Sequence, residues 1–409
     1  MSRWDCLIAG GGAAGCFAAI TAARLGRRTA IVEHNPGGEL GKKLRITGKG
    51  RCNVTNNCDR DTLLANIPRN GRFLYSAFSA CGPAEVMAFF EALGVPLKTE
   101  RGNRVFPVSD SAQEIVSALR RECRRLGVRV IPGQVTDLLA QEGRCRGLLV
   151  DGKAYEAESV LLATGGMSYP ATGSTGDGYE IARRAGHTIV PPEPSLVPLV
   201  IREKQCRDMM GLSLRNVTLS LYDGGKCLFR ELGEMLFTHF GVSGPLVLSA
   251  SCHIPKMEPG RYRLEIDLKP GLTPEQLDLR LQRDFQLFQN RTLSNALSKL
   301  LPKGMIPAAI QLSGLDGNMR VNQITRAQRL EFGAFLKAFP LTVQDFRPIS
   351  EAIITRGGVS VREVSPKTME SKLLPGLFFA GELLDVDAYT GGFNLQIAFA
   401  TGYAAGCSM

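Results

Sequence analysis

Cys6-Leu7-Ile8-Ala9-Gly10-Gly11-Gly12-Ala13-Ala14-Gly15, followed by CFAAITAARL and then Thr29-Ala30-Ile31-Val32-Glu33, is the stretch that decides the fold. Cys6–Ala9 reads as a short buried strand. Residues 16–25 read as a small-residue helix, and Thr29–Val32 as a second strand ending in Glu33. Strand, G-x-G-x-x-G, helix, strand and acid, in that order, is the dinucleotide-binding fingerprint of a doubly wound α/β sheet. Gly10 permits the tight turn, Gly12 lets the backbone approach a pyrophosphate, and Gly15 lets the helix pack on the strand. Ala13 and Ala14 then lie at the helix N-terminus, where free N–H groups and a partial positive charge face the phosphates. Glu33 stands about twenty residues on, where a carboxylate accepts hydrogen bonds from a ribose. A glycine-rich turn in some other α/β protein would leave Glu33 and the Ala-rich helix unexplained.

The totals fit that reading. The chain has 409 residues, 44% of them hydrophobic and 22% charged, with mean hydropathy −0.01; this is a globular composition with enough core for about two or three domains. No apolar run is long enough to span a bilayer. Asp5 interrupts the first residues, which argues against a signal peptide, so a cytoplasmic protein is expected. The eleven cysteines form no paired framework, which predicts reduced thiols, and no metal site is expected. Lys and Arg number 49 against 39 Asp and Glu, a net charge of +10. A basic surface suits either RNA or a cradle for phosphate-bearing cofactors. The densest basic cluster, Arg120, Arg121, Arg124 and Arg125, reads as one solvated helix face with no aromatic residues interleaved. Nucleic acid is therefore the less favoured partner and a small-molecule substrate the favoured one; no membrane partner is expected, and oligomeric state is left open.

Along the chain, residues 34–58 (HNPGGELGKKLRITGKGRCNVTNNC) read as a long loop without secondary structure, placed over the ligand at the carboxyl ends of the strands. Cys52 and Cys58 suggest a redox disulfide, but five residues separate them where flavin disulfide reductases carry C-x4-C, which favours Cys52 as a backbone-positioned loop residue. Helices are predicted over 84–94 and over 111–126, the latter capped by Ser111, with a hairpin or loop at TERGNRVFPVSD between them. Strands at 128–131 and 134–138 lead into a three-stranded meander and a return strand ending Ala163-Thr164-Gly165-Gly166. That is the layout of FAD-binding Rossmann domains, in which Val135 sets its backbone against the adenine and the ATGG turn passes over the dinucleotide. Residues 167–178 are glycine-rich but build no second nucleotide-binding half, so a nicotinamide donor would dock transiently.

Four prolines at 191, 192, 194 and 198 mark a boundary, after which alternating apolar residues and an Asp223-Gly224 turn predict a barrel-like β domain. Within it, SGPLVLSAS reads as a short helix opened by Ser243 and Pro245, and residues 273–300 and 325–338 as amphipathic helices. After about residue 350 the α/β pattern returns. AIITRGGVS reads as strand and turn, Leu377–Ala380 as a buried strand followed by Gly381-Glu382, and residues 391–405 as a small-residue helix starting on Gly391-Gly392 and aimed at a flavin pyrimidine ring. The domains expected are a Rossmann domain (1–190 and 350–409), an inserted barrel-like domain (191–272 and 339–349) and a small helical domain (273–338).

GKKLRITGKGRCNVTNN, RVFPVSDSA, SYPATGSTGDGYEIARRAGH, LFTHFGVSGP, TRGGVS and GLFFAGELLDVDAYTGGFNLQIAFATGYAAG together resemble the BaiN-like, aminoacetone-oxidase-like FAD-dependent oxidoreductases over nearly the whole chain. The resemblance implies FAD held by Ala14, by Glu33 and His34, by the loop from Gly41 to Asn53 (Lys42, Thr47, Gly48, Arg51 and Cys52 within it), by Val135, and by Ala163, Thr164 and Gly165. At the end of the chain it implies Gly381, Glu382, Gly392, Asn394 and Leu395. Many relatives have glycine where Lys49 stands. Such enzymes are assigned either to reduction of activated C=C bonds with a nicotinamide donor or to oxidation of an amino ketone by oxygen. The first is favoured here: NAD(P)H passes hydride to flavin N5, which passes it to an electron-poor substrate under the barrel domain. Arg51 is the candidate for holding an anionic substrate group and His239 for donating a proton. The alternatives are a flavin-dependent amine oxidase and an FAD-containing tRNA-modifying protein.

Overall fold

The computed structural model describes residues 3–409. They fold into two compact units, one running to Ser195 and resuming at Ile349, the other spanning Leu196–Pro348.

In the first unit Trp4–Ala9 lies between two parallel neighbours, Thr29–Glu33 and Lys153–Leu162. Every residue of Thr29–Glu33 is buried, which is why this strand is continuously apolar up to its terminal acid. The long strand Lys153–Leu162 changes partner midway. Lys153–Glu156 runs antiparallel to Gly147–Val150, and Ala157–Leu162 runs parallel to the first strand. This joins the meander Val135–Gln141, Arg144–Val150 and Lys153–Leu162 to the nucleotide-binding sheet. Arg129–Pro132 closes the far edge, and Leu377–Phe379 adds a further parallel strand. A small sheet of Thr55–Asn56, Leu97–Glu100 and Arg104–Pro107 includes a hairpin that overlaps residues 99–110, where the sequence predicts a hairpin or loop.

The first helix is Ala13–Arg24, starting earlier than the sequence reading because Gly12 is extended (φ −77°, ψ −164°) and Ala13 already helical. It packs against the last helix, Phe393–Ser408, at a backbone-to-backbone approach: a Cβ on Gly402 would lie 2.4 Å from the Ala14 carbonyl oxygen, and one on Gly406 2.6 Å from that of Ala18. The small residues of both helices serve this contact.

The second unit is a closed barrel of six strands in the order Leu199–Ile201, Gly241–Ser243, Lys226–Thr238, Ser213–Asp223, Tyr262–Asp267 and Phe339–Phe346. Alternate residues fill it; Leu219, Leu221, Leu264, Ile266, Leu341 and Val343 are fully buried. Thr273 and Thr325 each close a capping box, with Gln276 and Gln328, at the starts of Pro274–Leu287 and Arg326–Lys337.

Several local expectations are corrected. The loop 34–58 contains short 3₁₀ turns at Pro36–Gly38 and Lys43–Gly50 and the strand Thr55–Asn56. Ser111 makes no side-chain cap to Ala112–Arg125. Ser243 ends a barrel strand, and Gly244, at φ +94°, is the residue that opens Pro245–Ser251. The helix predicted over 273–300 stops at Leu287: Arg291 N–H turns back to the Phe288 carbonyl, and Thr292 is extended. Thr355–Val359 of TRGGVS is strand rather than turn, as Ile354–Val359 pairs with Ile189–Ser195; this also puts the proline-rich segment up to Ser195 inside the first unit.

One ion cluster gives the first unit a measurable pH dependence. Glu122, whose side chain is 5% exposed, accepts from Arg125 and Arg24. Its hydrogen bonds to Arg125, with those to Arg24, pull its pKa down to about 2. A carboxylate depressed in the folded state stabilises fully above its unfolded value and loses that contribution as pH falls toward the folded one. With both arginines partly solvated, the contribution is about 2 kcal/mol. Glu122→Gln should lower the urea midpoint at neutral pH and flatten its fall between about pH 5 and pH 2; an unchanged acid slope would show that other carboxylates dominate.

Candidate dinucleotide site

Three backbone segments meet at the opening turn. A Cβ on Gly10 would sit 2.5 Å from the Ala163 carbonyl oxygen, and one on Gly15 would sit 1.9 Å from that of Gly10. The Ala163 N–H in turn donates to Ala9 O at 2.9 Å. Only glycine fits at both positions. At Gly12 the same construction meets nothing within 4 Å, so the backbone is open to a ligand where the helix N-terminus points.

Glu33 is 5% exposed. It accepts from Gly11 N at 2.7 Å, Asn35 N at 2.9 Å and Asn35 Nδ2 at 2.8 Å. A carboxylate offers about four lone-pair sites, so one remains for a ribose hydroxyl. Asn35 Nδ2 also reaches Thr172 O at 3.2 Å, and Lys42 Nζ lies 3.4 Å from Asn35 Oδ1. His34 is exposed beside them.

The loop from Gly41 to Asn53 is shaped by its backbone. Thr47 Oγ1 donates to Leu44 O, and Cys52 N to Thr47 O. Gly48, Lys49 and Cys52 have φ of +56°, +59° and +60°. Cys52 is fully buried, and burial pushes its thiol up to about 12, so it stays protonated; all eleven cysteines, Cys58 among them, are free thiols. Arg51 Nε donates to Asp110 Oδ1 at 2.7 Å, its guanidinium also pairs with Glu100, and it stacks 4.0 Å from the Phe106 ring centre. Hydrogen bonding to Arg51 holds the Glu100 carboxyl below its ordinary value, and Lys98 and Arg51 do the same for Asp110.

Glu382 is a hub that sequence reading missed as such. Its Oε2 accepts from Lys43 Nζ at 2.7 Å; its Oε1 accepts from Ser168 Oγ at 3.0 Å and Thr355 N at 2.8 Å. One carboxylate thus ties four distant segments together, and again about one acceptor site is left over. Lys43, Ser168 and Thr355 lie inside quoted motifs, but only tertiary contact reveals their partner. Asn394 clamps the preceding loop, accepting from Ala388 N at 3.0 Å and donating to Ala388 O at 2.8 Å. Gly392 is the N-cap of the last helix, and Leu395 lies partly exposed in its first turn. Gly381 N donates to Thr401 Oγ1, tying the Gly381-Glu382 turn to the same helix. Val135 begins a meander strand opposite Val150. Thr164 and Gly165 follow the return strand, Gly165 at φ +77°.

Two further atoms bear on the fit. Among the described residues, Asn53 Oδ1 and Thr164 Oγ1 are buried without a hydrogen-bond partner. Both come from segments expected to touch the dinucleotide, and a buried polar group of this kind costs stability until a ligand satisfies it. With the side-chain-free turn at Gly12, the helix N-terminus and the spare acceptor on Glu33, they fit a bound dinucleotide. His239 is exposed on the barrel unit, its ring 5.0 Å from that of Phe240.

Fold and site together define an FAD-dependent oxidoreductase. The chain belongs to the HI0933-like family; the model of the HI0933-like protein Rossmann domain matches residues 4–408. It is 34% identical to the 3-dehydro-bile acid delta(4,6)-reductase of Clostridium scindens over 98% of this chain and 97% of that one. It is 31% identical to the ribosomal RNA dihydrouridine synthase of Haemophilus influenzae over 98% of each. Among solved structures, the 3-ketosteroid delta1-dehydrogenase of Sterolibacterium denitrificans aligns over 99% of each chain with TM-score 0.53 and 13% identity, a likeness of fold.

Lys49 stands in the left-handed region, at φ +59°. A β-carbon in the left-handed region costs about 1–2 kcal/mol, whereas glycine adopts it freely at some entropic cost. Lys49→Gly should leave FAD retention unchanged and the unfolding midpoint equal or slightly higher. Lys49→Val should lower the midpoint, by about 1–2 kcal/mol in stability. Equal midpoints for both variants would mean that the turn does not hold this conformation.

Proposed function

We propose that the protein reduces a C=C bond conjugated to a carbonyl, with NAD(P)H as the transient electron donor. The observation that carries this reading is the pair of relatives. A delta(4,6)-reductase saturates ring C=C bonds, and dihydrouridine is uridine with its ring C=C bond saturated. Both names describe addition of a hydride and a proton to an electron-poor double bond. FAD held at the dinucleotide site would supply hydride transfer between donor and acceptor.

The protein's own groups hold and orient the cofactor. The Gly10–Gly15 turn and the N-terminus of Ala13–Arg24 receive the pyrophosphate, and Glu33 takes a ribose hydroxyl on its remaining acceptor site. The loop Gly41–Asn53, with Ala163–Gly165, covers the dinucleotide. The Gly381-Glu382 turn and the first turn of the last helix, through Gly392, Asn394 and Leu395, hold the flavin end, where the helix dipole favours developing negative charge. Arg51, engaged by two carboxylates, acts by pinning this loop to the Leu97–Pro107 hairpin. The proton that completes the reduction comes from an imidazole nitrogen of His239.

Anaerobic photometry tests the donor step. NADH or NADPH should bleach the flavin absorbance, and an enone should restore it; bleaching by neither donor removes the mechanism. Arg51→Met should lose flavin on gel filtration with little change in substrate KM. His239→Asn should bleach at the wild-type rate yet reoxidise with substrate about 10²-fold more slowly, the scale of a lost general acid. Wild-type reoxidation in that variant would exclude His239 as the proton donor.

A further inference from the structure

The smaller unit carries twenty Lys and Arg against fourteen Asp and Glu. Several of the cations around its barrel and its two long helices are neutralised locally. Arg261 pairs with Asp223 and Glu258, Arg263 with Glu265, Arg280 with Asp284, Arg329 with Asp278 and Lys337 with Asp267. The segment from Leu287 to Gln323 is different. It contains Arg291, Lys299, Lys303 and Arg320, all exposed, and none makes an ion pair among the described residues. Its single acid, Asp316, accepts from Asn318 N at 2.9 Å and closes its own turn.

The chain laces part of this segment into one ridge. Val321 N donates to Arg291 O, Leu293 N to Met319 O, and Thr292 bridges antiparallel to Arg320. Phe288, partly exposed where the long helix stops, holds two of the cations: Arg291 lies 5.0 Å and Lys299 5.3 Å from its ring centre. Gln289, Asn290, Asn318 and Asn322 present exposed amides beside them. Unpaired cations fixed on an aromatic ring and interleaved with neutral hydrogen-bonding groups suit a chain of phosphates and bases better than an acidic protein surface. The cluster at Arg120–Arg125 lacks these features, since Arg125 is spent on Glu122 and Arg121 on the Leu93 carbonyl.

We infer that the ridge of Phe288, Arg291, Lys299 and Arg320 is a docking surface for the phosphate backbone of RNA. It deepens the proposed reduction by indicating that the unsaturated substrate is a base within RNA, but its test does not depend on turnover. Filter binding of the FAD-loaded full-length protein to a uridine-rich stem-loop RNA, titrated across salt, should give a log–log slope of about −2 to −3 for three phosphate contacts. Arg291→Gln/Lys299→Gln/Arg320→Gln should weaken binding at least about tenfold and flatten the slope by about 2–3, while keeping the wild-type flavin spectrum and circular dichroism. Arg120→Gln/Arg121→Gln/Arg124→Gln should bind as wild type. Loss of binding only in the second variant, equal binding by both variants, or no binding by the wild type would overturn the proposal. So would wild-type preference for vesicles of anionic lipid, or for heparin, over the RNA. RNA binding that survives while no donor bleaches the flavin would sink the reductase reading and leave the surface standing.

Discussion

The structure depends on main chain approaching main chain where no side chain stands between. Gly10 lets the return strand place the Ala163 carbonyl against the opening turn, and Gly15 lets the first helix descend onto the Gly10 carbonyl. Because Lys153–Leu162 supplies that return strand, the same contact brings the meander, the first strand and the helix N-terminus to one point. On the helix's other side, Gly402 and Gly406 allow the last helix to lie against Ala14 and Ala18. A chain end nearly four hundred residues away is thereby brought to the same helix. The open face at Gly12 is what this crowding leaves exposed, and a phosphate group matches it in charge and in size.

Around that point the loops are held by two buried or half-buried carboxylates rather than by sheet hydrogen bonds. Glu33 gathers the opening turn and Asn35 on the ribose side. Glu382 gathers Lys43, Ser168 and Thr355 on the other. Each keeps about one acceptor site in reserve. Ligand hydroxyls would complete coordination shells that the protein has already oriented, which lowers the ordering cost of binding.

What was legible in the sequence was local. The fingerprint lies within thirty-three residues and its geometry follows from glycine positions, so strand, turn, helix and acid all read correctly. The barrel strands showed their alternation, and the helix starts read at residues 273 and 325 coincide with the capping boxes found there. What was hidden depends on contacts between distant residues or on dihedral angles. Lys43 and Glu382 are 339 residues apart, and nothing near Lys43 announces its partner. Lys49 is helical by propensity, yet the surrounding turn imposes a positive φ. The helix predicted to reach residue 300 stops at Leu287 because the strand-like bridge between Thr292 and Arg320 outweighs an amphipathic pattern that continues past it.

Charge shows the same gap between composition and structure. A net charge of +10 names no surface, and linear density points to Arg120–Arg125, where cations are most crowded. Part of that cluster is spent locally, since Arg125, together with Arg24 of the first helix, keeps the buried Glu122 ionised. A cation already satisfied by a carboxylate has little left to offer a phosphate, whereas one held on a ring face retains its charge and all its donors. On the Phe288 ridge two cations without a carboxylate partner, Arg291 and Lys299, share one ring. There the absence of neighbouring acids, rather than an abundance of arginine, marks the site.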